Sequence, residues 1–412
     1  MHNLINKPLI AMRLSRIFFV LSILASAVPV EASSKLERLD SKAGVMFDAR
    51  LDKGQLPADL LLSPTSEYSD KGLVLKAGGE CVRLDRYYAL AERMVRYRVR
   101  PSSDAVLHFR RSLGDFNVFM DVPGKKVSIM TSPATEVSAP FLEGDRDYIV
   151  EIYHIYNKAV VRVKEVSGKN VVEVSAVNDG QGGCNSGKLQ DGFSVGMQWD
   201  HYWFRLSEGT SAVVSRITVL ALKKKVRLLI YGDSITQPEG YFPASVFRDA
   251  WTQRIIAHEG GSAMSSGRGG CTINEVLVYI KNELPYIKSK YVMVTIGTNG
   301  GNTYENLTEL VQYIKSQGRI PVLNNIPCNE SGTQVPVNEI VAKVRADQGI
   351  SGCLFDAATS LNGDGKEVDK SMMFHEDLVK ELNWDVYHHP NWKGGLAMFE
   401  RTLADTPEIY RK

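Results

Sequence analysis

Ser234 is the first residue whose type and position could do chemistry. It follows Gly232 and Asp233 after the apolar run 228–231, which predicts a buried strand of a parallel sheet. Open α/β sheets bind their ligands at the carboxyl ends of such strands, and Gly232 would let the chain turn sharply there. A hydroxyl just past that turn suits a nucleophile, although a capped turn is the simpler interpretation of three residues alone.

Two later stretches offer hydrogen-bond donors for a developing oxyanion. The Gly-rich stretch 267–272 precedes a predicted helix, and the N-terminus of a helix presents free backbone N–H groups. Gly270 would allow a close approach, so that its N–H faces the oxyanion. Asn299 follows the second predicted parallel strand and can donate from its side-chain amide. Each stretch taken alone is equally an ordinary loop.

The segment 385–391 supplies a candidate base and acid. An Asp three or four residues before a His can bond its Nδ1 and leave Nε2 for a serine hydroxyl. Asp385 stands three residues before His388 and four before His389. We prefer His388 as the base, because the spacing from Asp385 fixes its ring. His389 is the alternative, since Pro390 defines where the terminal helix begins.

Strands and helices alternate from residue 226 to the C-terminus. The pattern predicts strands at 228–232, 291–296, 320–324 and 353–356, and helices at 245–258, 273–287, 307–316, 337–346 and 392–403. Such alternation indicates a doubly wound parallel sheet with helices on both faces. This is an α/β fold class, and it would bring Ser234, Gly270 and Asn299 to one sheet edge.

The preceding part, up to residue 222, has many short strands and little helical periodicity. Predicted strands lie at 45–51, 94–100, 116–122, 126–130, 148–153, 159–163, 171–177, 193–197, 202–206 and 213–222. Pro123-Gly124 is a hairpin signal between two of them. The pattern predicts an all-β sandwich. Trp199, Tyr202 and Trp203 could stack on sugar rings, but aromatic residues in sandwiches are more often core.

Taken together, the four polar stretches resemble the SGNH hydrolases, also called the GDSL esterase family. The matching stretches are Gly232-Asp233-Ser234, Gly270-Cys271-Thr272, Gly297-Thr298-Asn299 and 385–391. The resemblance implies a three-layer fold, a Ser234–His–Asp385 triad, and oxyanion donors on Ser234, Gly270 and Asn299. Two departures stand out: Gly300 replaces a common Asp, and the histidine is doubled. The N-terminal half resembles concanavalin-like jelly rolls in its order of elements.

The N-terminus has the layout of a secretory signal peptide. Arg13 and Arg16 precede the apolar run 17–25, and Val30-Glu31-Ala32 offers a cleavage site. We therefore expect a signal peptide at 1–32, a sandwich domain at 33–222 and a hydrolase domain at 226–412. The mature protein would be periplasmic or extracellular, with no membrane span. In that setting one cysteine pair could bridge, either Cys81 with Cys184 or Cys328 with Cys353.

These features predict an exported serine esterase that removes acetyl groups from a glycan. The formal net charge of +2 gives no broad attraction to nucleic acid, and the cysteine spacing fits no metal site. The proposed chemistry needs no cofactor. The alternatives are an esterase of the same fold that acts on lipids or aryl esters, and a glycan-binding protein without activity.

Overall fold

The computed structural model describes residues 44–54, 56–78, 81–111, 117–130, 135–177, 202–239, 241–377 and 385–410. The predicted signal peptide at 1–32, the predicted strand at 193–197, Trp199 and Cys184 lie outside the described residues. The strands before residue 222 are β1 (Gly44–Arg50), β2 (Leu60–Leu61), β3 (Glu67–Ser69), β4 (Gly72–Leu75), β5 (Val82–Leu84), β6 (Glu92–Pro101), β7 (Val106–Arg111), β8 (Asn117–Asp121), β9 (Lys126–Ile129), β10 (Thr135–Ser138), β11 (Tyr148–Ile155), β12 (Lys158–Glu165), β13 (Val171–Val177), β14 (Tyr202–Glu208) and β15 (Ala212–Ala221).

The remaining elements alternate between strand and helix for the first eight and then follow in pairs of one type. They are β16 (Leu228–Gly232), α1 (Trp251–His258), β17 (Ala263–Gly267), α2 (Ile273–Glu283), β18 (Tyr291–Thr295), α3 (Tyr304–Ser316), β19 (Ile320–Leu323), α4 (Gln334–Gln348), α5 (Phe355–Thr359), β20 (Glu376–Asp377), β21 (Asp385–Val386), α6 (Trp392–Asp405) and α7 (Pro407–Tyr410).

Strands β1 to β15 form two antiparallel sheets. One has the order β13-β12-β11-β6-β15-β4-β3, with β1 also paired to β15, and the other has the order β10-β9-β8-β7-β14-β5-β2. Their inner faces touch: the ring of Tyr97 lies 4.8 Å from that of Phe109 and 5.3 Å from that of Phe204. Tyr202, Phe204 and the other inward residues of β14 are buried, whereas Trp203 is half-buried on the outer face. Alternating burial of this kind explains why period-two patterns located most of these strands.

Strands β16 to β19 form a parallel sheet in the order β17-β16-β18-β19. Successive residues of β16 enter different hydrophobic clusters, since side chains alternate between the faces of a sheet. Leu228 and Ile230 pack with residues of α1 and α6, including Trp251 and Met398. Leu229 and Tyr231 pack with the cluster that contains residues of α2, α3 and α4. The order places the end of β16 between its two neighbours.

Several predicted boundaries in this part need correction. Residues 353–356 are not a strand, because α5 begins at Phe355 and the Cys353 N–H is bound by the Asn324 side chain. The predicted helix 245–258 is a 3₁₀ helix, Ala244–Asp249, followed by α1. Strand β17 is absent from the predicted strands, because its two serines interrupt the apolar pattern. Both are nevertheless buried, and Ser266 Oγ donates to Glu283 at 2.7 Å.

Glu283 joins the parallel sheet to the antiparallel sheets. Its carboxylate accepts the N–H groups of Ala89 at 2.6 Å and Leu90 at 2.9 Å, besides the Ser266 hydroxyl. The Ala91 N–H donates to the Ser265 carbonyl at 2.9 Å, so this segment covers the edge strand β17. Burial raises the pKa of Glu283 to about 7. A buried polar cluster therefore fixes the contact between the two parts of the chain.

Cys328 and Cys353 are separate, buried thiols, so the predicted bridge between them is wrong. Cys328 Sγ contacts the Asp356 carbonyl, and Cys353 Sγ contacts Thr406 Oγ1. Burial raises the pKa of both thiols to about 12. Within the described ranges, no helix has both the length and the apolar character needed to cross a membrane.

Candidate active site

Ser234 lies in a tight turn at the end of β16. The N–H of Gln237 donates to the carbonyls of Asp233 and Ser234, and the indole N–H of Trp251 donates to the Ile235 carbonyl at 2.8 Å. Gly232 is required because a Cβ there would collide with Thr236 Oγ1 and the Thr295 carbonyl. The turn holds the Ser234 hydroxyl at the carboxyl edge of the sheet, with the residue only 7% exposed.

His389 is the histidine that faces Ser234. Its Nε2 lies 2.8 Å from Ser234 Oγ, and the residue is 4% exposed. Its ring lies 4.6 Å from that of Tyr241, and its carbonyl accepts the Phe374 N–H at 2.8 Å. A hydroxyl and an imidazole nitrogen at this separation can exchange a proton.

Asn391 helps to hold the chain where His389, and not His388, contacts the serine. Its Oδ1 caps α6 by accepting the N–H groups of Lys393 and Gly394, and its Nδ2 donates to the carbonyls of Ser371 and Met373. These bonds fix the chain on the C-terminal side of Pro390, so that the residue directly before the proline faces the sheet edge. The structure therefore does not support the preference for His388: the histidine one residue later, His389, contacts Ser234.

Among the described contacts, the Asp385 carboxylate bonds to His375 and to neither His388 nor His389. Its Oδ1 is 2.6 Å from Nε2 of His375, and its side chain is 65% exposed. The short pairing of β20 with β21 places Asp377 opposite Asp385 and leaves this carboxylate at the surface. The prediction that Asp385 orients the base therefore does not fit the structure, because a different histidine takes its hydrogen bond.

Glu330 is the carboxylate beside the histidine pair. Its Oε2 lies 3.7 Å from Nδ1 of His388 and accepts the Tyr387 N–H at 3.0 Å. Burial opposes its charge, but these contacts with His388 and the Tyr387 N–H outweigh burial and lower the pKa of Glu330. The ring of His388 lies 4.2 Å from that of His389. Sequence reasoning missed Glu330, since it is about 60 residues away and carries no motif.

Asp233 is a second acid close to the reacting groups. It is fully buried, and its Oδ1 accepts the Ile235 N–H at 3.0 Å. Burial raises the pKa of Asp233 to about 6, while that N–H and the nearby His388 favour the charged form. The negative charge of Asp233 would favour a positive charge on the histidine pair.

The predicted oxyanion donors lie on two loops that contact the Ser234 turn. The Arg268 N–H donates to the Gly232 carbonyl at 3.1 Å, and the Gly269 N–H donates to Gln237 Oε1 at 2.7 Å. Gly270 follows with a φ of 76°, a conformation that favours glycine. Asn299 donates one amide hydrogen to the Cys271 carbonyl at 3.1 Å, which leaves its second hydrogen for a ligand.

The comparisons with known proteins add the following. No protein-family model matches the sequence, and no curated protein is similar to it. A GDSL-like lipase from Bacteroides thetaiotaomicron is 14% identical, with a TM-score of 0.34, over 45% of this chain and 87% of its own. A variant of the acetyl xylan esterase Axe2 from Geobacillus stearothermophilus is 17% identical, with a TM-score of 0.34, over 45% and 94%.

An α/β hydrolase from the metagenome of Lake Arreo, Spain, is 18% identical, with a TM-score of 0.35, over 45% of this chain and 97% of its own. GDSL-like lipases and acetyl xylan esterases are thus among the structures to which this chain is similar, over under half of its length. These similarities are low. The function is therefore proposed from the strand order of the parallel sheet and from the side-chain contacts at the site.

Proposed function

We propose that this chain is a serine ester hydrolase of the SGNH type. The observation that carries the proposal is the 2.8 Å contact between Ser234 Oγ and His389 Nε2. It lies where the strand β16 of a parallel sheet ends, and the loops with Gly270 and Asn299 are joined to the same edge by hydrogen bonds. A nucleophile, a base and oxyanion donors are the parts that acyl transfer requires.

The reaction proceeds in two steps. Neutral His389 takes the Ser234 proton on Nε2 as Oγ attacks the ester carbonyl, and the oxyanion is bound by the N–H groups of Ser234 and Gly270 and by the Asn299 amide. His389 then returns the proton to the leaving alcohol, which leaves an acyl group on Ser234. Water attacks that acyl group with His389 again as base, releasing the acid and restoring the serine.

Glu330 and Asp233 take the electrostatic role that the sequence analysis gave to Asp385. Each carries negative charge close to the doubled histidine, and a nearby anion stabilises the imidazolium that forms during attack. Glu330 contacts His388 directly, so its effect reaches His389 through the neighbouring ring. Within the described part of the chain, no three His, Cys, Asp or Glu side chains group as metal ligands.

The domain assignment is part of the same proposal. Residues 226–412 form a three-layer, doubly wound hydrolase domain, which the two helix groups on opposite faces of β16 support. Residues 33–222 form an accessory β-sandwich, which the contact between the inner faces of the two sheets supports. Residues 1–32 direct export, so the esterase acts in the periplasm or outside the cell.

The proposed substrate is an acetylated polysaccharide or oligosaccharide. Export, an attached all-β region and the lack of an extended apolar stretch near the site in the sequence support this substrate over a lipid. The second candidate, a lipid or aryl esterase, differs in chain-length preference. A glycan deacetylase should favour nitrophenyl acetate sharply over longer acyl chains, whereas a lipid esterase should not.

Acetate release from a panel of acetylated polysaccharides tests the proposal. The wild-type protein should release acetate from at least one of them, and Ser234→Ala should abolish release with an unchanged melting temperature. Ser316→Ala, on the exposed end of α3, is the matched control and should keep full activity. Turnover by Ser234→Ala within tenfold of wild type would refute the nucleophile assignment. Binding without turnover by the wild type would favour the inactive glycan-binding protein.

A further inference from the structure

The outer face of the sheet that contains β14 carries a row of basic and aromatic side chains. Trp203 on β14 is directly opposite Arg83 on β5 and Arg110 on β7. The row continues to Leu61 on one side, opposite Arg83, and to Asn117 on the other, opposite Arg110. Opposed residues on adjacent strands have neighbouring side chains, so these residues form one continuous surface.

A second row lies beside the first. Arg205 on β14 is opposite His108 on β7, which is opposite Phe119 on β8. The His108 ring stacks on that of Phe119 at 4.3 Å, and its Nε2 lies 2.8 Å from Asn117 Oδ1. The guanidinium of Arg110 lies 5.0 Å from the ring centre of Trp203. We call these two rows the basic–aromatic face.

The positive charge of this face is poorly compensated within the described residues. The Nε atoms of Arg83, Arg110 and Arg205 and the indole nitrogen of Trp203 are buried and have no hydrogen-bond acceptor. Of the three arginines, Arg83 has a described ion pair, which joins it to Asp85 at 3.6 Å. Burial and the two arginines lower the pKa of His108 to about 4, as expected for a positive surface.

The outer face of the other sheet is different. There Glu151 accepts from Arg96 and lies 3.3 Å from Lys164, and Asp147 binds both Arg98 and Arg100. On that sheet the described arginines are matched by carboxylates, whereas among the described residues the three arginines of the basic–aromatic face share one ion pair, that of Arg83 with Asp85. Because like charges held together repel, this excess of positive charge lowers stability unless an anion binds there.

A cavity of about 490 Å³ opens beside the first row. It is lined by Leu61, Leu62, Cys81, Arg83, Trp203 and Arg205. This volume lies in the usual range for small-molecule sites. The lining joins two guanidinium groups to apolar side chains, so a fitting ligand carries both negative charge and apolar surface.

We propose that the basic–aromatic face binds an oligosaccharide that carries uronic acid residues. Planar guanidinium groups bind carboxylates through two parallel hydrogen bonds. The backbones of Arg83 and Arg110 stand two strands apart, roughly 10 Å, with Trp203 on the strand between them and the Arg110 guanidinium beside its indole. That order matches two carboxylates separated by the apolar face of a sugar ring.

Three arginines are too few for nucleic acid. Such binding rests on many phosphate contacts along an extended basic surface, and the formal net charge here is only +2. The inference goes beyond the proposed esterase activity and does not depend on it, because the face lies on β2, β5, β14, β7 and β8 and shares no residue with the Ser234 site. If both hold, the all-β region retains acidic glycan chains for the hydrolase.

Isothermal titration with tetragalacturonate tests the inference. The Ser234→Ala protein is used as the binding partner, so that turnover cannot affect the result. It should bind tetragalacturonate at least tenfold more tightly than the carboxyl-reduced, neutral tetrasaccharide, and added salt should weaken binding. Arg83→Gln with Arg110→Gln should lose at least tenfold in affinity. Arg98→Gln with Arg100→Gln, on the other sheet, should bind as before.

Three results would overturn the inference: equal binding of the acidic and neutral sugars, equal loss in the control variant, or equally tight binding of a single-stranded DNA of the same charge. Melting temperature and esterase activity, measured with Ser234 present, show whether the Arg83/Arg110 variant is folded. If it is not, Arg205→Gln alone carries the test and should lose at least threefold. Because binding and turnover are measured separately, failure of either leaves the other proposal standing.

Discussion

The two ends of the segment 385–391 behave differently. At one end Asp385 lies at the surface and bonds an exposed histidine, His375. At the other end His389 is buried against Tyr241 and touches Ser234, and Asn391 anchors the chain with four hydrogen bonds. The spacing between an acid and a histidine in sequence therefore did not decide which histidine faces the serine. The bonds of Asn391 and the Phe374 N–H bond to the His389 carbonyl hold the chain there instead.

Replacing each of the two neighbouring histidines by alanine should give the largest effect on kcat and the largest contrast between two variants. We expect His389→Ala to lower kcat by about 10⁴-fold or more, as severely as Ser234→Ala, because residues that act as a unit do not contribute additively. His388→Ala should cost only about tenfold, as much as the loss of Glu330, since its ring links Glu330 to His389 but is joined to Ser234 by no described hydrogen bond. Steady-state kinetics on nitrophenyl acetate would measure both.

The double variant Ser234→Ala/His389→Ala is the control for this comparison and should be no worse than either single variant. An inactive His388→Ala beside an active His389→Ala would contradict the geometry and restore the spacing argument.

Removing Asn299 should have the next largest effect. Asn299→Ala should lower kcat by about 10²–10³-fold with a smaller change in KM, the range for one oxyanion donor. Asn302 serves as the control, because its amide donates to the Gly297 carbonyl. Asn302→Ala should lower the melting temperature and leave kcat largely unchanged. An unchanged kcat in Asn299→Ala would make this residue part of the turn only.

The sequence could predict the elements whose pattern is local. The strand β16, the helix α6 and the polar residues at the ends of β16 and β18 follow from apolar runs and glycines, so the positions of Ser234 and Asn299 were accessible. Strand β17 was not, because Ser265 and Ser266 are buried by contacts that a hydrophobic pattern does not record.

The partners of the histidines could not be predicted for a related reason. Glu330 reaches His388 from a loop about 60 residues earlier in the chain, and the bond between Asp385 and His375 depends on the pairing of β20 with β21. Neither contact has a sequence signature. Pro390 made His389 the alternative in the sequence, but the choice between the two histidines rests on the contact of His389 with Ser234, which the spacing from Asp385 does not reveal.

Neutralising Glu330 and Asp385, each in its own variant, should give smaller effects that sharpen the comparison. Glu330→Gln should lower kcat/KM about tenfold, on the order of 1.4 kcal/mol, because an anion beside the histidine pair is lost. Its contacts lower the pKa of Glu330, so it is charged at neutral pH. Removing that charge should lower the pKa of the base and move the acid limb of the kcat/KM profile to lower pH. Asp385→Asn should change neither quantity.

The pH dependence of kcat/KM in these two variants shows which carboxylate acts on the base. A shifted acid limb in Asp385→Asn with none in Glu330→Gln would return the orienting role to Asp385.

The smallest effect on catalysis should come from the anchor itself. Asn391→Ala removes the N-cap of α6 and two bonds to the carbonyls of Ser371 and Met373, so the free energy of unfolding should fall by about 2 kcal/mol. Asn391→Asp separates the two contributions. A carboxylate still accepts the Lys393 and Gly394 N–H groups, but it cannot donate to the two carbonyls.

If the cap alone mattered, Asn391→Asp would match the wild type in both denaturant unfolding and kcat. We expect an intermediate loss of stability, with kcat lowered about threefold in both variants. The two donated bonds fix the chain two residues after His389, whereas the cap only starts the helix that follows. Wild-type kcat in Asn391→Ala would mean that Pro390 and the Phe374 contact to the His389 carbonyl position the base without Asn391.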